Sequence, residues 1–327
     1  MRGIRFVPQD SNINFIGMRM IAFVFSVVLI FGSIGVTVKN GLNLGIDFTG
    51  GTVIEIRTPV TPNLEALRTT LNDLDLGAIS IQEFGQIDDL LIRLPSQKKP
   101  EDWDKEVDEE PNEVAIEIVR ETLNEAFEGQ KVDYRRIEYV GPQVGEELKL
   151  KGLYAILFSL LGILTYIWFR FEWQFGIAAI IALAHDAIAT IGLFALLQME
   201  FNLSTVAAIL MIAGYSINDT VVVFDRVREN LRKYKKKPLL ELFNISVNQT
   251  LSRTLMTSVT TMLALIALYV FGGEVIRGFV YALIFGIAIG TYSSVFVASP
   301  VLLLMNVRRA PSLDKDENAA GAPEVIG

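Results

Sequence analysis

Six apolar runs leave this chain few folding options, because each is close to the roughly 20 residues that cross the hydrocarbon core of a bilayer as a helix. They cover roughly Gly17–Val38, Gly152–Phe169, Phe175–Leu197, Leu203–Phe224, Leu251–Phe271 and Gly278–Met305. With 51% hydrophobic residues and a positive mean hydropathy, the chain reads as a polytopic α-helical membrane protein. The first run is too long for the apolar core of a cleaved leader, and no small-x-small site follows before Lys39. It reads as a retained signal-anchor. The last run is long enough to tilt, or to pass the interface near Pro300.

Charge in the short flanks sets the expected orientation. Arg2, Arg5 and Arg19 precede or open the first run, and Arg170 lies between the second and third. Arg226, Arg228, Arg232, Lys233, Lys235, Lys236 and Lys237 follow the fourth, and Arg308 and Arg309 follow the sixth. The alternate loops, "QMEFN" and "GGEVIRG", hold a single Arg. The positive-inside rule then predicts both termini in the cytoplasm and residues 40–149 outside. The predicted organisation is residues 1–38 as N-terminus and first span, then 39–151 as a periplasmic domain. Residues 152–305 follow as the other spans, with a basic cytoplasmic loop at 225–250, and 306–327 form a cytoplasmic tail.

The outer region has soluble-domain periodicity. "TVIEIRT" alternates like a half-buried strand, and Pro62-Asn63 opens a helix with Leu64, Leu67, Leu71 and Leu74 on one face. "AISIQEF" and "DLLIRL" flank the turn "GQID". A second helix, closed by Gly129, turns Val114, Ile118, Leu123 and Phe127 inward, and "KVDYRRIEYV" ends the domain as a strand. The order β-α-β-β-α-β predicts an α+β ferredoxin-like arrangement. The acidic stretch Pro100–Pro111 reads as a solvated loop, and the net charge of −8 is carried mostly by the polar region from Asn40 to Lys149. No nucleic-acid-type basic domain is present.

Ionisable groups inside the apolar runs are the informative exceptions. Asp219 lies in the fourth run, with Asn218 beside it and Tyr215 one turn away. Arg253 opens the fifth, and Thr257, Thr260 and Thr261 continue a polar stripe from it. His185-Asp186 sits near the middle of the third and contains the chain's single histidine. A charge at mid-helix costs about 2.5–3.5 kcal/mol on insertion scales, so such groups face a bundle interior, pair, or line a wet path. Asp219 and Arg253 lie on adjacent runs toward the same side and can pair directly or through water. Desolvation favours the neutral acid and a nearby guanidinium favours the carboxylate, so a group held between them can load and unload a proton. Interhelical hydrogen bonding remains open for Asp219, snorkelling for Arg253, and a buried hydrogen-bonded pair for His185-Asp186.

Catalytic signatures are missing. One histidine cannot supply HExxH, and neither a GxSxG elbow nor a Walker A sequence occurs. No metal set is expected, and thiol and disulfide chemistry are removed by the absence of cysteine. Gly45, Gly50 and Gly51 in "LNLGIDFTGG" do not form GxGxxG and suggest tight turns after the first run. "GIAIG" in the sixth run, with Gly32, Ser33 and Gly35 in the first, marks places where helices can approach closely.

Several of these segments together resemble a known family. "GLNLGIDFTGG", "YVGPQVGEEL", "LAHD", "AGYSINDTVVVFDRVREN" and "SRTLMTS", in this order, are similar to the SecF family of protein-export membrane proteins, within the resistance-nodulation-division superfamily. The likeness runs from the first span to the end of the sixth. The tail lies outside it, and the acidic loop is longer than the usual pattern. The resemblance implies pairing with SecD, association with the SecYEG channel, YajC and YidC, and residence in the bacterial inner membrane. It implies use of the proton motive force, rather than a bound cofactor, to promote late export of unfolded secretory proteins. It also assigns proton conduction to an aspartate and an arginine that fall on Asp219 and Arg253, acting with an aspartate of SecD. Asn218, His185, Asp186, Tyr215 and Thr257 are candidate supporting residues. A small-molecule proton antiporter of the same superfamily and a purely structural assembly subunit are the alternative readings.

Overall fold

All six apolar runs are helical in the computed structural model, which describes residues 12–97, 111–127, 130–273, 275–305 and 307. In chain order, α1 (Arg19–Asn40) leads into a short strand β1 (Asn43–Leu44) and one helical turn α2 (Ile46–Thr49). The α/β region follows as β2 (Gly51–Arg57), α3 (Leu64–Asn72), β3 (Ser80–Phe84), β4 (Gln86–Leu94), α4 (Pro111–Ala126) and β5 (Asp133–Val140). Then come α5 (Pro142–Arg170), α6 (Trp173–Leu197), β6 (Glu200–Phe201), α7 (Leu203–Lys233) and α8 (Leu239–Phe271). The sixth span is α9 (Arg277–Ser293), a π-helical turn (Ser294–Ala298) and α10 (Ser299–Leu304). The acidic stretch 100–110, Gly129, Arg2, Arg5, Arg308, Arg309 and the tail beyond 307 lie outside the described residues.

The expected basic loop at 225–250 is instead mostly helix. α7 continues to Lys233 and α8 starts at Leu239, leaving a short turn between them. Arg, Lys and Glu are good helix formers, and Arg226–Glu229 and Lys237–Glu241 pair at helical spacing. Asn230 then ties the two helices together, donating to Ser246 Oγ and Gln249 Oε1, each at 2.9 Å. The second span likewise starts earlier than its apolar run, at Pro142.

The sheet order is β3-β4-β2-β5, antiparallel throughout, which is the predicted split βαβ topology. β2 is central, so Ile54 and Ile56 are fully buried against Leu67 and Leu71 of α3 and Val119 and Leu123 of α4. The inward face of α4 is Ala115, Val119, Leu123 and Phe127, while Val114 and Ile118 are only half-buried. This differs from the expected face by a small rotation, because the small Ala115 lets the helix settle onto the sheet. The β3–β4 turn is tighter than expected, with Gly85 alone at φ +91° between the strands.

A β-bulge in β5 leaves Arg135 between residues paired to Glu55 and Ile56. Arg135 reaches Asp89 at 3.2 Å, and Arg57, directly across from Asp89, grips it bidentately at 2.7 Å. Arg57, helped by Arg135, holds the Asp89 carboxyl below its ordinary value of 3.8. A depressed carboxyl pKa contributes stability that is complete above the ordinary value and is lost as pH falls through the folded value. The α/β region should therefore lose stability below about pH 4, and Asp89→Asn should flatten that dependence. Amide hydrogen exchange of β2 and β4 across this range is the check.

Where the chain passes from α1 to this sheet, backbone geometry requires glycine. Gly50 and Gly51 have φ of +69° and +121°, and a Cβ on Gly51 would lie 2.4 Å from Leu94 O. A strap joins sheet and bundle: β1 pairs in parallel with β6, and Arg93 of β4 donates to Glu200 at 2.6 Å and to Asn43 at 3.0 Å. Asp47 accepts the Leu203 N–H at 2.8 Å, and Asn202 forms a capping box with Thr205, so the start of α7 is capped from both the strap and its own first turn.

Within the bundle, α6, α7 and the sixth span are inner helices, with 44–50% of their apolar stretches buried. α1, α5 and α8 are peripheral, at 6–11%. α1 packs on α6 where a Cβ on Gly192 would clash with the Ser33 backbone at 2.6 Å, while Gly32 and Gly35 face open space. In the sixth span, Gly286 and Gly290 pack against Ile212 and Ser216 of α7.

Candidate functional site: a polar layer inside the bundle

Two apolar cores divide the bundle along its length. One gathers Phe171, Phe175, Phe224 and Phe243 at the end away from the sheet. The other gathers Phe48, Phe194, Phe201 and Ile209 on the sheet side. α6 contributes to both, and His185 and Asp186 fall between the two contributions. Polar residues of α7 and the sixth span meet them there.

Asp186 is 1% exposed, and three groups converge on its carboxylate. Oδ2 accepts Ser216 Oγ of α7 at 2.6 Å and Ser293 Oγ of α9 at 2.8 Å. Oδ1 lies 3.0 Å from His185 Nδ1. Thr220 and Ser294 bond across the same interface at 2.8 Å, and Ser294 sits in the π-helical turn. That turn breaks the regular ladder where hydroxyls of Ser293 and Ser294 both use Gly290 O as acceptor. Tyr292 extends the layer outward: its ring lies 6.0 Å from that of His185, and its hydroxyl meets Ser26 Oγ at 3.0 Å and Ala22 O at 2.9 Å on α1. Asp186 thus knots three inner helices, and Tyr292 ties in a fourth.

Asp219 has the opposite environment. It is 2% exposed, yet its Oδ2 is buried without a hydrogen-bond partner among the described residues. The Thr257 hydroxyl on α8 faces it, and Arg253 acts on it through its charge. No ion pair within 4.0 Å joins Asp219 to Arg253, so of the two pairings the sequence allows, direct or through water, the direct one is not made here. Arg253 is exposed on the open side of α8, one turn before Thr257. Thr257 Oγ1 donates to its own backbone, to Thr254 O at 2.9 Å and Arg253 O at 3.2 Å. Tyr215 OH and Thr254 Oγ1 are further buried polar atoms without partners, and Asn218 is exposed. Buried polar groups are ordinarily satisfied, so unpartnered atoms gathered on α7 and α8 need a reason.

Of the sequence candidates, His185 and Asp186 come together with hydroxyls that drew no attention, namely Ser216, Thr220, Ser293 and Ser294. Asp219, Tyr215, Arg253 and Thr257 share the α7–α8 side, and Asn218 stands apart. The missed hydroxyls carry one weak signal: each is a Ser or Thr on the inner stripe of its span. No group of His, Asp and Glu among the described residues is arranged to hold a metal.

Comparison with known proteins agrees with this architecture. Residues 119–308 match the family described as protein export membrane protein SecD/SecF, C-terminal, and residues 35–58 match the SecD/SecF GG motif that contains Gly50 and Gly51. The protein translocase subunit SecF of Rickettsia bellii is 44% identical over 92% of this chain and 96% of its own length. The Rickettsia felis subunit of the same name is 43% identical over 94% of this chain and 96% of its own. Among solved structures, SecDF of Thermus thermophilus, a translocon-associated membrane protein, superposes with a TM-score of 0.80 at 37% identity. That match covers 93% of this chain but spans only 40% of the SecDF chain. SecDF in a super-membrane-facing form gives a TM-score of 0.66 over the same coverage. With a family match across more than half its length and full-length relatives above 40% identity, this multi-pass membrane chain belongs to the SecD/SecF family of protein-export membrane proteins, as a SecF-type translocase subunit.

Proposed function

We propose that this chain is the proton-coupled SecF half of a SecD–SecF assembly that promotes late steps of protein export across the bacterial inner membrane. The observation that carries this reading is Asp219: an acid sealed among apolar helices with one oxygen unpartnered, beside Thr257 and within the field of Arg253. A carboxylate with both oxygens engaged, like that of Asp186, serves as a fixed knot. One left unsatisfied can take up a proton with little rearrangement.

Arg253 and Thr260 lie on an exposed face of α8. A guanidinium facing hydrocarbon is costly, which favours covering that face with another polytopic subunit, and SecD is the partner that family membership suggests. SecYEG, YajC and YidC are further partners on the same family argument. Basic residues concentrate at the bundle end away from the sheet, which supports cytoplasmic termini and a periplasmic α/β region. Protonation of Asp219 relaxes the electrostatic hold between α7 and α8, shifting a two-state packing equilibrium that the strap from β6 to β1 and Arg93 passes to the α/β region.

The test uses inner-membrane vesicles holding this chain with its SecD partner, and a precursor halted after its ATP-driven start. A protonophore should slow completion to the rate of vesicles lacking the pair. A protonophore-insensitive enhancement would overturn the proposal.

A further inference from the structure

The bundle end away from the sheet carries an open groove of about 510 Å³ that the export reading leaves unused. Arg170 of α5 and Asp225, Arg228, Glu229, Arg232 and Lys233 of α7 line it. The acids are already engaged: Asp225 pairs with Arg170 at 3.3 Å, and Glu229 with Arg226 at 2.7 Å. Arg228, Arg232 and Lys233 have no carboxylate partner among the described residues. Arg228 is held in place instead, donating to Arg170 O at 3.3 Å with its guanidinium 5.9 Å from the Phe171 ring. Lys233 rests over Tyr234.

Depth in the membrane is marked independently. Tyr166, Trp168, Phe169 and Trp173 flank the groove's Arg170 in sequence and are 56–89% exposed. Such an aromatic girdle sits at the level of lipid headgroups. Cations without carboxylate partners, at headgroup depth, in a cleft between two spans, are suited to a phosphodiester whose acyl chains run down the exposed surface of α5. A planar guanidinium fixed on two sides still has N–H donors for such an oxygen.

We propose that this groove binds the headgroup of an anionic phospholipid of the phosphatidylglycerol type. The site is independent of proton coupling, so failure of one leaves the other standing.

Native mass spectrometry of the purified full chain, titrated with phosphatidylglycerol or phosphatidylcholine in detergent, tests it. Phosphatidylglycerol should bind in preference to phosphatidylcholine. Each charge-assisted contact with the phosphodiester contributes roughly fivefold in affinity or more, so Arg228→Gln/Arg232→Gln/Lys233→Gln should weaken binding on the order of a hundredfold. Lys235→Gln/Lys236→Gln/Lys237→Gln removes equal charge outside the groove and should change it only a few-fold. Should the groove triple variant fail to fold, Arg232→Gln alone should read about fivefold. Equal losses in both triple variants would reduce the effect to bulk charge and overturn the site. Displacement by millimolar inorganic phosphate, or equal binding of phosphatidylcholine, would overturn it as well.

Discussion

Asp219→Asn is expected to remove the gradient-dependent part of export while leaving the folded bundle intact. The amide matches the carboxylate in shape and cannot carry a proton on and off. The expected loss is on the order of a hundredfold in the gradient-driven rate, the lower end of what a positioned proton-transfer group contributes. Stability should hold or rise, because the substitution removes a buried charge with an unpartnered oxygen. Measuring completion of a halted precursor with and without a protonophore, alongside a thermal melt, separates the two effects. Full gradient-driven export by the Asn variant would mean that Asp219 only bonds helices together.

Asp186→Ala should behave in the reverse manner, as a stability defect. It strips the acceptor from Ser216, Ser293 and His185 Nδ1 at once. Interhelical hydrogen bonds in membranes average only about 0.6 kcal/mol each, but donors left buried and unpaired cost about 1–3 kcal/mol apiece in protein interiors. The balance is a loss of roughly 2–4 kcal/mol. Asp186→Asn keeps one acceptor oxygen and should lose less than half of that. Unfolding of the three proteins in lipid nanodiscs reads the difference. An Ala variant as stable as the parent would show that the knot does not hold the bundle.

The two acids were equally visible as charges inside apolar runs, but the surroundings of each were not. What separates them is azimuth. Each residue along a helix turns by about 100°, and hydropathy alone does not say which neighbour a given stripe meets. Asp186 turns toward Ser216 and Ser293, whereas Asp219 turns toward Thr257, with Arg253 swung to the open side of α8. Hydroxyls such as Thr220 and Ser294 are cheap to place in a span, so they raise no alarm until they converge. The six spans and the split βαβ order were legible because periodicity reports burial directly. The continuation of α7 and α8 through residues 225–250 was not, because charged helix formers look like a loop when apolarity is the signal being followed. The π-helical turn left no mark beyond Ser293-Ser294 and the nearby Pro300.

The most direct measurement is an infrared difference titration of the assembled SecD–SecF pair in lipid, with the Asp219→Asn variant subtracted. Thr257 faces this acid from α8, Arg253 adds its charge from the open side of that helix, and SecD can add charges of its own, so the assembled pair is the species to titrate. A carboxyl band that converts between acid and carboxylate within the physiological range, and vanishes in the variant, is the predicted result. A spectrum in which this side chain stays in one form from end to end would contradict the account.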